Sequence, residues 1–138
     1  MSTAEAEETA DLLTRAREGL ERYLEVHVDD DGVLTFSHND VPCVVQASML
    51  ADGLAVLSMT CVIAWDLPDE ESIAAAVARR AGEGLFGTLG VSRSEKGADV
   101  TLRYAFPARG MEPAPLGTLM MLVVSTASQL RVELPGLG

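Results

Sequence analysis

Between Val41 and Trp65, apolar and polar side chains alternate with a period of two on either side of Asp52-Gly53. In the first run Cys43, Val45, Ala47 and Met49 share one face, and Pro42, Gln46 and Ser48 share the other. In the second, Ala55, Leu57, Met59, Cys61, Ile63 and Trp65 line up against Ser58 and Thr60. A period of two is the repeat of a strand, whose successive side chains point to opposite faces. Asp-Gly between two such runs marks a hairpin, because a tight turn needs positive φ, which glycine adopts at no steric cost. The pattern predicts a hairpin with one wholly apolar face. A hairpin of that kind is not stable alone in water, so other elements must cover it.

Helical periodicity supplies the cover. Residues 3 to about 25 read as a helix, with Ser2 and Glu5 at capping-box spacing and Leu13, Ala16, Leu20 and Leu24 on one stripe. Asp29-Asp30-Asp31-Gly32 reads as a tight turn, Val33 to Ser37 as a short strand with Leu34 and Phe36 inward, and Ser37 to Asp40 as a second turn. A helix opens near Pro68 and buries Ile73, Ala76, Val77, Ala81 and Leu85, with Gly82 and Gly84 able to end it. Residues 85 to 92 read as a strand in which Gly87 or Gly90 marks a bulge or a close approach. Asp99 to Phe106 is a strand with Val100, Leu102, Tyr104 and Phe106 inward. Pro107 to Pro115 reads as a loop. The last helix runs from about Leu116 to Leu130, with Leu116, Leu119, Met120, Val123, Ala127 and Leu130 as its core stripe. Met121, Leu122 and Val124 are apolar off that stripe, so this helix is buried on two sides or lies at an interface. The expected fold is α+β: helix, three-stranded antiparallel meander, helix, two strands, helix, in a single domain over residues 1–138, ordered from about 5 to 131.

Composition narrows the function. The chain has 138 residues and a net charge of −11, with 11 acids and 3 arginines in residues 1–40 alone. Such a surface argues against nucleic acid and anionic membranes, which need basic patches. The N-terminus has no basic region followed by an apolar one, so it does not read as a signal peptide, and no apolar run is long enough to span a bilayer. The expectation is a cytoplasmic protein whose two cysteines are free thiols.

Candidate chemistry is sparse. Asp29 and Asp31 have the first spacing of a calcium loop, but Val33 and Leu34 stand where a ligand and the turn glycine belong. His27 and His38 lack a third ligand at metal spacing. Cys43 and Cys61 point into apolar faces and read as buried small hydrophobes. The glycines of residues 84–90 lead into a strand with no lysine or helix to hold a phosphate. No catalytic, cofactor-binding or metal-binding residue is expected.

The Asp-Asp-Asp-Gly turn before Val33 to Phe36, the hairpin Val41 to Trp65, the segment Leu67 to Leu85 and the closing strand and oily helix together resemble the class I type III secretion chaperones and the related YbjN-like proteins. The likeness spans residues 5 to 131. One departure is visible: Arg79 and Arg80 stand where YbjN-like chains often carry asparagines. The resemblance implies a homodimer that binds an extended segment of a client protein or peptide and performs no chemistry. The alternative is a regulatory or structural subunit that binds one folded partner or a small ligand. A client that is cationic or amphipathic needs apolar contact and opposite charge. The first helix offers Glu18 and Glu21 off its buried stripe. Val44 and Val56 on the outer sheet face, with Met121 on the last helix, offer the apolar part. These five residues define an expected partner-binding groove.

Overall fold

The computed structural model describes residues 2–68, 70–84 and 86–134. Its first helix, α1 (Thr3–Leu20), opens on the expected capping box: the Ser2 hydroxyl accepts the Glu5 N–H and the Glu5 carboxylate accepts the Ser2 N–H. The helix stops at Leu20 and not near residue 25. The N–H groups of Tyr23 and Leu24 both bond to the Leu20 carbonyl, at 2.9 and 3.0 Å, so the last turn tightens and closes. The chain then leaves the helix axis to bury Val26.

The other elements are β1 (His27–Val28), β2 (Leu34–His38), β3 (Val41–Ala51), β4 (Leu54–Leu67), α2 (Glu71–Ala81), β5 (Thr88–Ser94), β6 (Gly97–Pro107) and α3 (Pro113–Glu133). Among the described residues the fold is thus α+β, with three helices and one six-stranded antiparallel sheet in the order β1-β2-β3-β4-β6-β5. Four strands, not three, lie between α1 and α2. The extra one is β1, whose two residues pair His27 with Thr35 and Val28 with Leu34. The central hairpin turns at Asp52-Gly53, where Gly53 has φ +73°. No helix of the described residues is long and apolar enough to cross a membrane.

The chain gathers into two compact units. The first comprises residues 1–36, 44–59 and 105–121; the second comprises 37–43, 60–104 and 122–138. In the first unit the buried side chains of α1 (Leu12, Ala16, Leu20) join Leu34, Phe36, Val45, Leu57, Met59, Leu116 and Met120 in one core. Here α1 meets the start of α3 through two glycines. A Cβ on Gly19 would lie 2.2 Å from the Pro113 carbonyl oxygen and 2.8 Å from the Gly117 nitrogen. A Cβ on Gly117 would lie 2.4 Å from the Gly19 oxygen. Arg15 adds a hydrogen bond to the Met111 carbonyl. Arg109 reaches both the Glu8 carboxylate, at 3.4 Å, and the Gly53 carbonyl at the hairpin turn. The helix α3 begins at Pro113, three residues ahead of expectation. Proline suits a first helical turn, where its missing N–H would have no partner within the helix.

In the second unit Cys43, Cys61 and Ile63 are buried together with Ile73 and Val77 of α2, Leu89, Val100, Leu102, Val123, Val124, Ala127 and Leu130. Burial of Val124 confirms that α3 is covered on more than its main stripe. Trp65, expected inward, is instead 49% exposed. Asp66, next to it, has φ +54°, and its N–H bonds to the Asp99 carboxylate at 2.9 Å. The Arg131 guanidinium lies 5.8 Å from the Trp65 ring centre and also donates to the Ile63 carbonyl. Tyr104, also expected inward, is half-buried. The helix α2 starts at Glu71, so Pro68 precedes it and does not occupy its first position. Leu85 of the expected α2 stripe, Asp69 and the tail 135–138 lie outside the described residues.

Arg80 ties α2 to the end of α3, pairing with Glu83 at 2.5 Å and Glu133 at 2.7 Å. The Gln129 amide first, and then Arg80, hold the Glu133 carboxyl below the ordinary carboxylate range. A carboxyl depressed in this way stabilises the fold above its unfolded pKa, about 4.3, and loses that contribution as pH falls through the folded value. Wild type and Glu133→Gln should therefore differ in thermal stability above about pH 5 and converge in acid. Raising the salt should narrow the gap as well, since the pair is exposed. A gap that persists at low pH would place the role of Glu133 elsewhere.

Candidate binding cleft beside the first helix

The buried stripe of α1 runs through Thr9, Leu12, Ala16, Gly19 and Leu20. Beside it lies a second row at helical spacing: Ala10, Leu13, Thr14 and Arg17. The chain turns at Asp29–Gly32 and returns next to this row. The Asp29 carboxylate makes that turn by accepting the N–H groups of Asp31, at 2.9 Å, and Val33, at 3.0 Å. One of its oxygens is thus already engaged by the backbone. Val28 before the turn, Gly32 in it and Leu34 after it face α1 across a cleft of about 220 Å³ lined by these seven residues. Ala10, Leu13, Val28 and Leu34 make its wall largely apolar. Val28 remains 46% exposed.

The rim is charged. Arg17 stands at the cleft and pairs with Glu21 at 3.1 Å. Glu7, Glu18 and Asp11 are exposed along the same helix. The unit as a whole carries twelve acids against four arginines.

The five residues expected to form a groove all fall in this unit, yet the structure does not assemble them around the cleft. Glu21 reaches it through Arg17. Glu18 is exposed on α1 but does not line it. Val44 and Met121 are half-buried elsewhere in the unit. Val56 corrects the expectation most clearly: it is only 5% exposed, so its side chain is already packed within the fold. The residues that do line the cleft were missed for a simple reason. Leu13 scans as part of the core stripe, and two residues of β1 are too few to show a period.

The remaining candidates are the two cysteines and the two histidines. The sulfurs of Cys43 and Cys61 lie 3.4 Å apart, and both residues are buried. The contact with Cys61 first, and burial second, push the Cys43 thiol pKa well above its ordinary value. A thiol held protonated is a poor nucleophile. His27 is exposed near Glu25, and His38 meets the Asn39 amide. Among the described residues no three His, Cys, Asp or Glu side chains come together to hold a metal ion. No known protein family matches the chain, and no curated protein matches it.

Proposed function

We propose that this chain is a non-enzymatic, chaperone-like module that binds an extended segment of a partner protein. The observation that carries this reading is the apolar cleft between α1 and the β1–β2 strands, set in a unit with a threefold excess of acids over bases. The cleft has room for one or two aliphatic side chains. The carboxylates of α1 would orient basic residues on either side of that anchor and speed their approach. The partner segment is thus basic, with a Leu, Ile or Val between its cations. The reading keeps the secretion-chaperone-like fold, the cytoplasm and the homodimer as parts of the proposal. Support for the dimer comes from Leu122 and Val132 on α3, which are 44% and 86% exposed.

A labelled nine-residue peptide with a central leucine flanked by lysines tests it. Binding should weaken as salt rises. Val28→Asp, at an exposed position, should abolish binding with little loss of stability. Glu18→Arg with Glu21→Arg should slow association by about tenfold or more. Sedimentation of the same protein should give twice the chain mass of 14.6 kDa. Unchanged affinity and on-rate in both folded variants would overturn the cleft as the binding site.

A further inference from the structure

The sheet ends on one side at β5, which pairs with β6 in the register Leu89↔Leu102, Gly90↔Thr101 and Val91↔Val100. Leu89, Val100 and Leu102 are buried, so this row faces the core. Thr88, Gly90 and Ser92 must then face the other way, alongside Thr101 and Arg103. On that face lies a cavity of about 320 Å³ lined by Thr88, Gly90, Val91, Ser92, Thr101 and Arg103. Gly90 lies in its lining with open space above it: a Cβ there would meet nothing within 4 Å. Arg103 is exposed, and its guanidinium has no ion pair or hydrogen bond among the described residues. The neighbouring carboxylate in the register, Asp99, accepts the Asp66 N–H instead.

We infer that the outer edge of β5 takes up an extended segment of a partner protein as an added strand, with an Asp or Glu of that segment seated over Gly90 against Arg103. A terminal strand leaves every second residue's N–H and C=O without a ladder partner, and another strand satisfies them best. Residues 88–94 contain no proline, and at about 3.3 Å per residue they offer some 23 Å of edge. The opposite edge, β1, is two residues long and too short to template a partner. An added strand lies about 4.8 Å outside β5, so its side chain over Gly90 crosses no intervening side chain on its way to Arg103. A carboxylate there makes a charge-assisted contact with the guanidinium. A second copy of this chain fits the edge poorly, because its β5 has no carboxylate to set against Arg103. This surface belongs to the second unit and does not depend on the cleft beside α1.

The test uses labelled nonapeptides of alternating Thr and Val with a central Glu, Gln or Lys. Wild type should bind the Glu peptide about tenfold more tightly than the Lys peptide, a difference expected of one charged hydrogen bond. Gly90→Val keeps a strand-compatible backbone and fills the cavity, so it should bind the Glu peptide about tenfold more weakly. Arg103→Glu should reverse the preference in favour of the Lys peptide, which a merely structural role for Arg103 would not do. Equal affinity of wild type for the Glu and Lys peptides overturns the inference, as does Gly90→Val binding like wild type. A dimer that Ser92→Pro converts to monomer, and that no peptide displaces, also overturns it and assigns the edge to a second copy.

Discussion

Gly117→Ala should destabilise the protein by about 3 kcal/mol, the upper part of the range for overpacking a filled site. The sign is the informative part. In an exposed helix interior, glycine to alanine ordinarily stabilises by about 1 kcal/mol. At Gly117 the added methyl would sit 2.4 Å from the Gly19 carbonyl oxygen. At Gly19 it would sit 2.2 Å from the Pro113 oxygen. Both obstacles are backbone atoms of helices, which cannot rotate aside as a side chain can. Relief requires α1 and α3 to separate, which would loosen Leu12, Ala16, Leu116 and Met120 at once. Gly82→Ala is the control: its methyl would meet only ordinary contacts at 3.6 and 3.8 Å, and φ is −72°. It should be neutral or slightly stabilising. Urea denaturation of the three proteins decides the matter, and a neutral Gly117→Ala would show that the helices are not in backbone contact.

Leu57→Ala and Leu102→Ala should each cost about 2–5 kcal/mol. Both side chains are fully buried, Leu57 in the first unit and Leu102 in the second. Each removal deletes buried apolar surface and leaves a cavity whose cost depends on how far the neighbours collapse. Leu102 has little room to be replaced by relaxation, because the backbone at Gly87 already lies close above it: a Cβ there would come within 3.1 Å of the leucine side chain. Denaturation midpoints measure both effects. A loss below about 1 kcal/mol at both positions would contradict the assigned strand faces.

The strand faces were legible because burial on one side of a sheet imposes a period of two over many residues. Val45, Leu57, Ile63, Val100 and Leu102 all follow it. The rule failed at the end of β4, where Trp65 keeps the period yet stands half exposed beside Asp66, a residue with positive φ. Helix ends were less legible. Tyr23 and Leu24 continue the period of α1 although the chain has already left the helix, and Pro113 and Pro115 mimic a loop although both fit a first helical turn. Val56 shows a further limit. Alternation tells which face a side chain takes, but not whether something covers that face. The cleft was illegible for a related reason: Leu13 and Val28 have no local signature of a site, and only the folded chain brings them to one cleft.

Trp65 is the chain's single tryptophan, and it stands half in solvent under the Arg131 guanidinium. Its emission is therefore an optical gauge of one place, where the end of β4 meets the last turns of α3. The first unit contains no tryptophan and only Tyr23 among tyrosines. Excited at the red edge of the indole band, that unit is dark. A fluorescence melt of this protein reads the second unit by construction, so damage at Leu57 or Gly117 must be followed by backbone dichroism, and the lag between the two signals becomes a measure of how far one disturbance spreads.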